Sequence, residues 1–286
     1  MNLPRVTASL AAMLLTATGG SALADERDGA RGLSLGDSVV FGFITQAGRA
    51  YVNPNNFIGY PEYDSFLLKL GIANAACPGE TSGSLLFATA TDNGCHEFRS
   101  AFPLHVPYSS TQIAFATDYL RHHRGVRVVT IGIGANDLFL LEDSCATNPN
   151  PTECIEAGLP SVLASVGANM AQILLDLRST GYGGEIVIVN YYSLDYSDAA
   201  NTEITQLLNQ TLAAPANSFG AVIADVFSAF QKVVSNPAIA GKTCNAGLLN
   251  VNPQDPTQAT CDVHPSQSGQ RLIAETVARA VKDRSW

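Results

Sequence analysis

The chain has 286 residues, of which 46% are hydrophobic and 14% are charged, and this composition excludes intrinsic disorder and a collagen-like repeat. Its 16 Lys and Arg residues against 25 Asp and Glu residues give a net charge of −9. A surface of that sign repels phosphate backbones, so we expect no nucleic acid partner. The length is sufficient for one large hydrophobic core.

The first 24 residues have the layout of a secretory signal peptide. Arg5 supplies a positive charge, an apolar stretch covers 10–17, and the small-x-small triplet Ala22-Leu23-Ala24 ends the segment. The apolar stretch is too short to span a bilayer, and no later run reaches about 18 apolar residues. We therefore expect cleavage after Ala24, a secreted protein (extracellular or periplasmic) without an integral membrane segment, and a single domain over 25–286.

Five short β-rich segments alternate with helical patterns in the remaining chain. Strands are predicted at 32–36, 72–76, 126–133, 185–191 and 220–226. The third and fourth are continuous apolar runs, which is typical of strands covered on both faces. Apolar periodicity and helix boundary signals predict helices at 111–123, 159–179, 202–214 and 266–283. This alternation predicts a parallel sheet with helices packed against it.

All six cysteines follow the signal segment and fall into three pairs that are close in sequence. An even number of cysteines in an exported protein indicates disulfide bonds. The simplest pairing is Cys77–Cys95, Cys145–Cys154 and Cys244–Cys261. A zinc cluster is the alternative, but the chain lacks the close Cys-x₂₋₄-Cys spacing that structural zinc favours. We expect no metal.

Four residues that carry chemistry lie after predicted strands or directly before the last helix. Ser38 follows the first strand, Gly79 the second and Asn136 the third, while His264 precedes the C-terminal helix. Reactive groups in an open parallel sheet gather beyond the carboxyl ends of the strands. We therefore expect these four residues to meet at one edge of the sheet.

Together these residues resemble the GDSL, or SGNH, hydrolase family, which is named for its Ser, Gly, Asn and His in four sequence blocks. The resemblance runs from Gly36 to Pro265. It implies an α/β fold, a flavodoxin-like three-layer α/β/α sandwich with five parallel strands in the order 2-1-3-4-5. It also implies hydrolysis of esters or thioesters without a metal or other cofactor.

The same residues have physical roles in ester hydrolysis. His264 removes the proton from Ser38 as the hydroxyl attacks an acyl carbon, and then returns it to the leaving alcohol. The N–H groups of Ser38 and Gly79 and the amide of Asn136 form the oxyanion hole. We expect a carboxylic ester hydrolase, an esterase or lipase, that acts as a monomer on a small-molecule or lipid ester. The alternatives are a carbohydrate O-deacetylase and a secreted binding protein without turnover.

The acid that orients His264 departs from the family pattern. The family's acid normally lies three residues before the histidine, where this chain has Cys261, and the carboxylate of Asp262 is only two residues before. Residues two apart face the same side only where the chain is extended. Asp262, a nearby backbone carbonyl and Asp225 all remain possible acceptors. We hypothesise that a Cys244–Cys261 bond holds the histidine loop in place.

Two further groups of residues invite a structural or a functional interpretation. Asp37 and Asp137 flank catalytic positions, and we expect them to bind local backbone N–H groups rather than to form an acid/base pair. Six aromatic residues follow Ser38 within 41–63, and they either form the wall of a substrate pocket or fill the core: Phe41, Phe43, Tyr51, Phe57, Tyr60 and Tyr63.

Overall fold

The computed structural model describes residues 29–255, 257 and 260–282. The predicted signal segment and its cleavage site lie outside the described residues and stay a prediction. The assignment of 25–286 to a single domain also stays a prediction.

Five strands form one parallel sheet at the centre of the fold. They are β1 (Arg31–Gly36), β2 (Gly71–Asn74), β3 (Val126–Gly132), β4 (Glu185–Val189) and β5 (Val222–Ala224). Their order is β2-β1-β3-β4-β5, and every neighbouring pair is parallel. This confirms the predicted fold class and strand order, and each strand begins and ends within two residues of its predicted bounds.

Helices connect the strands and cover both faces of the sheet. The described residues form α1 (Ser38–Phe41), α2 (Tyr60–Leu68), α3 (Ser82–Leu86), α4 (Cys95–Ala101), α5 (Gln112–His122), α6 (Ala135–Cys145), α7 (Pro151–Ser179), α8 (Ala199–Ala213), α9 (Val226–Val234) and α10 (Gln267–Lys282). The four predicted helices correspond to α5, α7, α8 and α10. The helix α7 begins before the predicted residue 159 because Pro151 occupies its first position, where the missing N–H of proline costs nothing.

Alternate residues of β3 and β4 enter two separate cores, as the two-residue period of a strand requires. On one face, Ile131 and Ile188 pack in a cluster with residues of α3, α5, α7 and α8, Met170 and Leu174 among them. On the other face, Val187 and its neighbours pack with residues of α2, α9 and α10. The sheet is thus buried on both sides, and only its edges and strand ends remain for a functional site.

The length and the burial of the helix α7 bear on whether it crosses a membrane or lies in the core. Its 29 residues and a most apolar stretch of mean hydropathy 1.4 would by length and composition allow it to cross a membrane. Its apolar stripe, however, which includes Val166, Met170 and Leu174, is fully buried in the core. The prediction that no integral membrane segment follows the signal peptide stays a prediction.

A short antiparallel hairpin lies outside the main sheet and carries the candidate histidine. It consists of β6 (Leu249–Val251) and β7 (Cys261–Pro265). A disulfide bond from Cys244 to Cys261 ties the first residue of β7 to the chain ahead of β6. The other disulfide bonds are Cys77–Cys95 and Cys145–Cys154, so the three pairs are those predicted from the sequence.

Candidate active site

A tight turn between β1 and α1 places Ser38 at the carboxyl edge of the sheet. Gly36 has a φ of +147°, and a Cβ atom there would lie 2.0 Å from the carbonyl oxygen of Gly132 on the neighbouring strand. Asp37 is the N-cap of α1, and its Oδ1 accepts a hydrogen bond of 2.9 Å from the N–H of Val39. Ser38 is therefore held half-buried at the first position of α1, two residues after the end of β1.

Gly79 lies in the turn that follows β2. Its φ is +84°, and a Cβ atom there would lie 2.2 Å from the carbonyl oxygen of Asn93, so no other residue fits without a shift of the backbone. Asn93 N–H donates to the Gly79 carbonyl at 2.7 Å, and Cys77 N–H donates to the Gly36 carbonyl at 3.0 Å. The N–H of Gly79 donates to none of the described residues and remains available to a ligand.

Asn136, in the first turn of α6, has an amide group with a fixed orientation. Its Nδ2 donates to the carbonyl of Glu80 at 2.9 Å, and its Oδ1 accepts from Nδ2 of Asn93 at 2.9 Å. An amide nitrogen has two N–H groups, so the second is left for an oxyanion. Sequence reasoning missed Asn93, because it lies in a loop without any pattern that would single it out.

Of the two aspartates beside the site, Asp37 binds a local backbone N–H, as expected from the sequence, whereas Asp137 binds a residue distant along the chain. Asp137 accepts hydrogen bonds from the N–H of Ser82 at 2.8 Å and from its hydroxyl at 2.7 Å. Asp37 accepts from Tyr191 Oη as well as from the N–H of Val39. Burial raises the pKa of Asp37 to about 6, against the lowering effect of the Tyr191 hydrogen bond, and burial also raises the pKa of Asp137. Tyr191 was not identified from the sequence.

The extended conformation of β7 brings the carboxylate of Asp262 to the imidazole of His264. Asp262 Oδ1 lies 2.6 Å from Nδ1 of the ring and also accepts the N–H of His264 at 3.0 Å. The two side chains are only 8% and 13% exposed. Burial by itself would raise the pKa of Asp262, but hydrogen bonds and the charge of His264 outweigh it and hold this pKa below its usual value. The carboxylate is therefore ionised.

Neither Asp225 nor a backbone carbonyl, the two other acceptors considered, makes the short contact with Nδ1 of His264. Asp225 is the N-cap of α9, where its Oδ1 accepts from the N–H of Ser228 at 3.1 Å and from Asn190 Nδ2 at 3.2 Å. The ring Nδ1 makes its short contact with a carboxylate rather than with a main-chain carbonyl. The geometry thus favours Asp262 over both alternatives.

Two clefts share Ser38, Asn136 and His264 in their walls. The apolar cleft, of about 110 Å³, extends between α6 and α8 and is lined by Leu138, Phe139, Leu194, Ile204 and Leu208. The aromatic cleft, of about 270 Å³, is lined by Phe43, Phe98 and Phe139 together with Asn93, Gly94 and Gly79.

All four residues predicted from the sequence, namely Ser38, Gly79, Asn136 and His264, line the aromatic cleft. The hydrogen bonds of the His264 ring to other described residues all involve Nδ1. Nε2 makes no hydrogen bond to the described residues, the Ser38 hydroxyl included, and can therefore accept a proton. Catalytic hydrogen bonds of this kind often tighten only when substrate binds.

Comparison with known proteins identifies the family. The model of the GDSL-like Lipase/Acylhydrolase family matches residues 34–272, which include all four residues of the site. The chain belongs to this family. A search of curated proteins finds no match.

Several solved structures share the fold of this GDSL-family chain. An acetylxylan esterase from Geobacillus stearothermophilus aligns with a TM-score of 0.54 and 18% identity over 89% of this chain and 96% of that one. An α/β hydrolase enzyme from the metagenome of Lake Arreo, Spain, aligns with a TM-score of 0.54 and 15% identity over 88% and 95% of the two chains. At these identities the likeness shows the fold alone.

The six aromatic residues of this GDSL-family chain divide between the core and the site. Phe41, Phe57 and Tyr60 are at most 1% exposed and belong to the core. Phe43 lines the aromatic cleft, with its ring centre 5.1 Å from that of His264. Tyr51 stacks on Phe43 at 5.5 Å, and Tyr63 lies under the guanidinium of Arg271 at 5.6 Å. Three of the six residues therefore belong to the core, and the role of Phe43 as the wall of a substrate pocket stays a prediction.

One cluster in the described part of this GDSL-family chain combines Cys and Glu side chains, which are metal ligands in other proteins. Cys77, Glu80 and Cys95 place their ligand atoms within 4.8 Å of one another. The two cysteines are joined by a disulfide bond, so neither offers a thiolate. Glu80 instead accepts hydrogen bonds from Gln112 at 2.7 Å and from Ser84. The cluster supports the turn at Gly79 rather than a metal.

Proposed function

We propose that the protein is a secreted serine carboxylic ester hydrolase, an esterase or lipase, that works through an acyl-Ser38 intermediate. The observation that supports this most directly is that Ser38, Gly79, Asn136 and His264 line one cleft. Membership of the GDSL-like lipase/acylhydrolase family supports a hydrolase independently.

In the acylation step, His264 Nε2 accepts the proton of Ser38 as Oγ bonds to the acyl carbon. The electron pair of the carbonyl moves onto its oxygen, which accepts hydrogen bonds from Ser38 N–H, Gly79 N–H and Asn136 Nδ2. When the carbonyl re-forms, the bond to the alcohol breaks and His264 returns the proton to it. Each oxyanion donor is expected to contribute about 10²–10³-fold to turnover.

In the deacylation step, water takes the place of the alcohol. His264 removes a proton from the water as its oxygen adds to the acyl carbon, and the same three donors bind the oxyanion. Ser38 then leaves with the proton from His264, and the free acid is released. Asp262 keeps Nδ1 protonated throughout and stabilises the imidazolium that forms in each step.

Three disulfide bonds support the proposed export of the protein. They persist in oxidising compartments, such as the periplasm and the extracellular medium, and are rare in the cytosol. A signal peptide over residues 1–24 would account for that destination. N-terminal sequencing of protein recovered from the periplasm or medium tests the predicted cleavage after Ala24.

A carbohydrate O-deacetylase is the second candidate function. The aromatic cleft offers the faces of Phe43 and Phe98 and the amide of Asn93, which suit a sugar ring. An acetylxylan esterase is also among the proteins that share the fold. Acetylated xylan tested beside simple esters distinguishes the two functions.

The substitution Ser38→Ala tests the proposed nucleophile. We expect a loss of at least about 10⁴-fold in ester hydrolysis and of all labelling by a fluorophosphonate, because no other group can form the acyl-enzyme. Ser144→Ala is the matched control, since Ser144 is an exposed residue of α6 that lines neither cleft. A Ser38→Ala protein that is still labelled, or a wild type that is not, contradicts the proposal and favours a binding protein.

A further inference from the structure

We propose that the apolar cleft is the binding site for the acyl chain and that the aromatic cleft takes the alcohol, so the preferred substrates are esters of aliphatic acids longer than acetic acid. This inference rests on the proposed function. The inference assigns an aliphatic acyl chain to the apolar cleft. Three apolar residues of this cleft take no part in the chemistry, namely Leu194, Ile204 and Leu208.

The two branches of an ester require separate clefts at the same nucleophile. Attack by Ser38 makes the acyl carbon tetrahedral, so the acyl chain and the alcohol leave it in different directions. Ser38, Asn136 and His264 line both clefts, and the reacting carbon therefore lies where the clefts share a wall. One branch then extends towards α8 and the other towards Phe43 and Phe98.

The chemistry of the apolar cleft favours the hydrocarbon branch. Leu138 and Leu208 are 9% and 2% exposed, and Ile204 and Leu194 are partly buried beside them. Methylene groups that bind against such a surface lose contact with water, which favours binding, whereas hydroxyl groups would lose hydrogen bonds to water.

Several polar side chains of the apolar cleft already have partners in the protein. Asn201 Oδ1 accepts a hydrogen bond of 2.8 Å from Ser193 Oγ, and Thr205 Oγ1 donates to the carbonyl of Asn201 at 2.9 Å. Asp37 is bound to Tyr191 and Val39, as described above. A polar alcohol placed in this cleft would find few free groups to replace its hydrogen bonds to water.

The size of the apolar cleft sets the expected length of the acyl chain. A cavity that holds a single water needs about 10–15 Å³. A cleft of about 110 Å³ therefore has room for about seven to eleven groups of that size. An acetyl group would place one methyl there and leave most of the apolar wall uncovered. We expect an optimum near six to eight carbons.

The acyl arm of the test varies chain length with the alcohol held constant. For wild type and p-nitrophenyl esters from C2 to C12, kcat/KM is expected to rise about fourfold per methylene up to the optimum. Ile204→Trp fills the cleft from α8, and the hexanoate-to-acetate ratio of kcat/KM is expected to fall at least tenfold. Leu207→Trp is the matched control, because Leu207 lies on the same helix outside both clefts. Its ratio should stay that of wild type.

The alcohol arm varies the alcohol with the acyl chain held at hexanoate. Phe98→Ala is expected to change the ratio of kcat/KM between aryl and ethyl esters at least fivefold and to leave the chain-length profile in place. Phe102→Ala is its control, since Phe102 follows the same helix and contacts Phe98 but lines neither cleft. Ile204→Ala, which enlarges the apolar cleft without adding bulk, should move the optimum to a longer chain.

The outcomes separate failure of this inference from failure of the proposed function. Wild type with its optimum at acetate, or Ile204 variants with an unchanged chain-length profile, overturn the acyl site while hydrolysis through Ser38 stands. If Ile204→Trp alters the alcohol preference and Phe98→Ala alters the chain-length preference, the acyl and alcohol sites are interchanged. That result also overturns the inference. No turnover of any ester by wild type overturns the proposed function itself.

Discussion

The pair formed by Asp262 and His264 shows how one residue of spacing alters the local structure that brings an acid to the proposed catalytic histidine. With the carboxylate only two residues ahead, an extended chain is needed to bring both side chains to one side, and β7 supplies it. The contact of 2.6 Å between Oδ1 and Nδ1 lies in a place where both side chains are mostly buried. Solvent screening there is weak, so the negative charge can stabilise an imidazolium.

The substitution Asp262→Asn therefore tests the orienting role. The shape is retained while the charge is lost and the amide no longer fixes the tautomer of His264. We expect kcat to fall by about 10²–10⁴-fold, with KM within about twofold of wild type. Steady-state kinetics on a p-nitrophenyl ester measures both.

The control for Asp262→Asn is Asp225→Asn, in the acid that was considered from the sequence and that caps α9 instead. Asparagine caps helices well, so this variant should keep the kcat of wild type. A fall of less than twofold in Asp262→Asn would assign the orientation of the ring to the backbone.

Among the elements, those with long apolar patterns were predictable and those that depend on distant contacts were not. The strands β3 and β4 were evident as continuous apolar runs, and α7 and α10 by their stripes. The hairpin β6–β7 has strands of three and five residues, too short for a recognisable alternation. Its paired residues are 10 to 16 positions apart in sequence, so no short-range pattern signals the pairing.

The same distinction applies within the candidate site. Ser38, Gly79 and Asn136 were predictable because each lies within five residues of the end of a strand of a parallel sheet, where the topology alone brings residues together. Asn93 and Tyr191 act by contacts with Asn136 and Asp37 that are distant along the chain. No periodicity or spacing signals such a partner, so they emerge only from coordinates.

Loss of the disulfide bond between Cys244 and Cys261 should affect both stability and catalysis. A double Cys→Ala variant at these positions releases the first residue of β7, next to Asp262. We expect a loss of about 3 kcal/mol in the free energy of unfolding, from loop closure, together with a fall of kcat by at least tenfold. Urea unfolding and ester kinetics on the same preparation measure the two effects.

The control for this variant is loss of the disulfide bond between Cys145 and Cys154, which joins the end of α6 to the first turn of α7. Its double Cys→Ala variant should lose a similar free energy of unfolding, about 2–3 kcal/mol, and keep its kcat. If both variants lost kcat equally, the bond at β7 would have no special relation to the histidine.

For the molecule as a whole, buried acids determine how stability varies with pH. Asp37, Asp64 and Glu80 are at most 3% exposed, and burial raises the pKa of each. Burial also raises the pKa of Glu62, to about 7. Unfolded acids titrate near pH 4, so the fold binds more protons than the unfolded chain above that pH. Stability is therefore greatest near pH 4–5 and is lost as pH rises through about 6 and 7.

Repulsion among surface charges acts in the same direction, since the net charge of −9 at pH 7 becomes smaller as carboxylates are protonated. The acids with lowered pKa values, such as Asp225 and Asp262, act oppositely. Their stabilising effect is complete above the unfolded pKa and is lost only as pH falls below about 4. The two groups of acids together give an acidic optimum of stability.

The substitution Asp37→Asn isolates one of these acids, because asparagine can still accept from Val39 N–H and contact Tyr191 Oη without acquiring a charge. The pKa of Asp37, about 6, is roughly two pKa units above that of an unfolded aspartate. Wild type should therefore lose about 3 kcal/mol more than this variant between pH 4 and pH 8, as measured by urea unfolding. Asp225→Asn should follow the wild-type curve over that interval. Parallel curves for Asp37→Asn and wild type would mean that Asp37 is already ionised in the fold at pH 4.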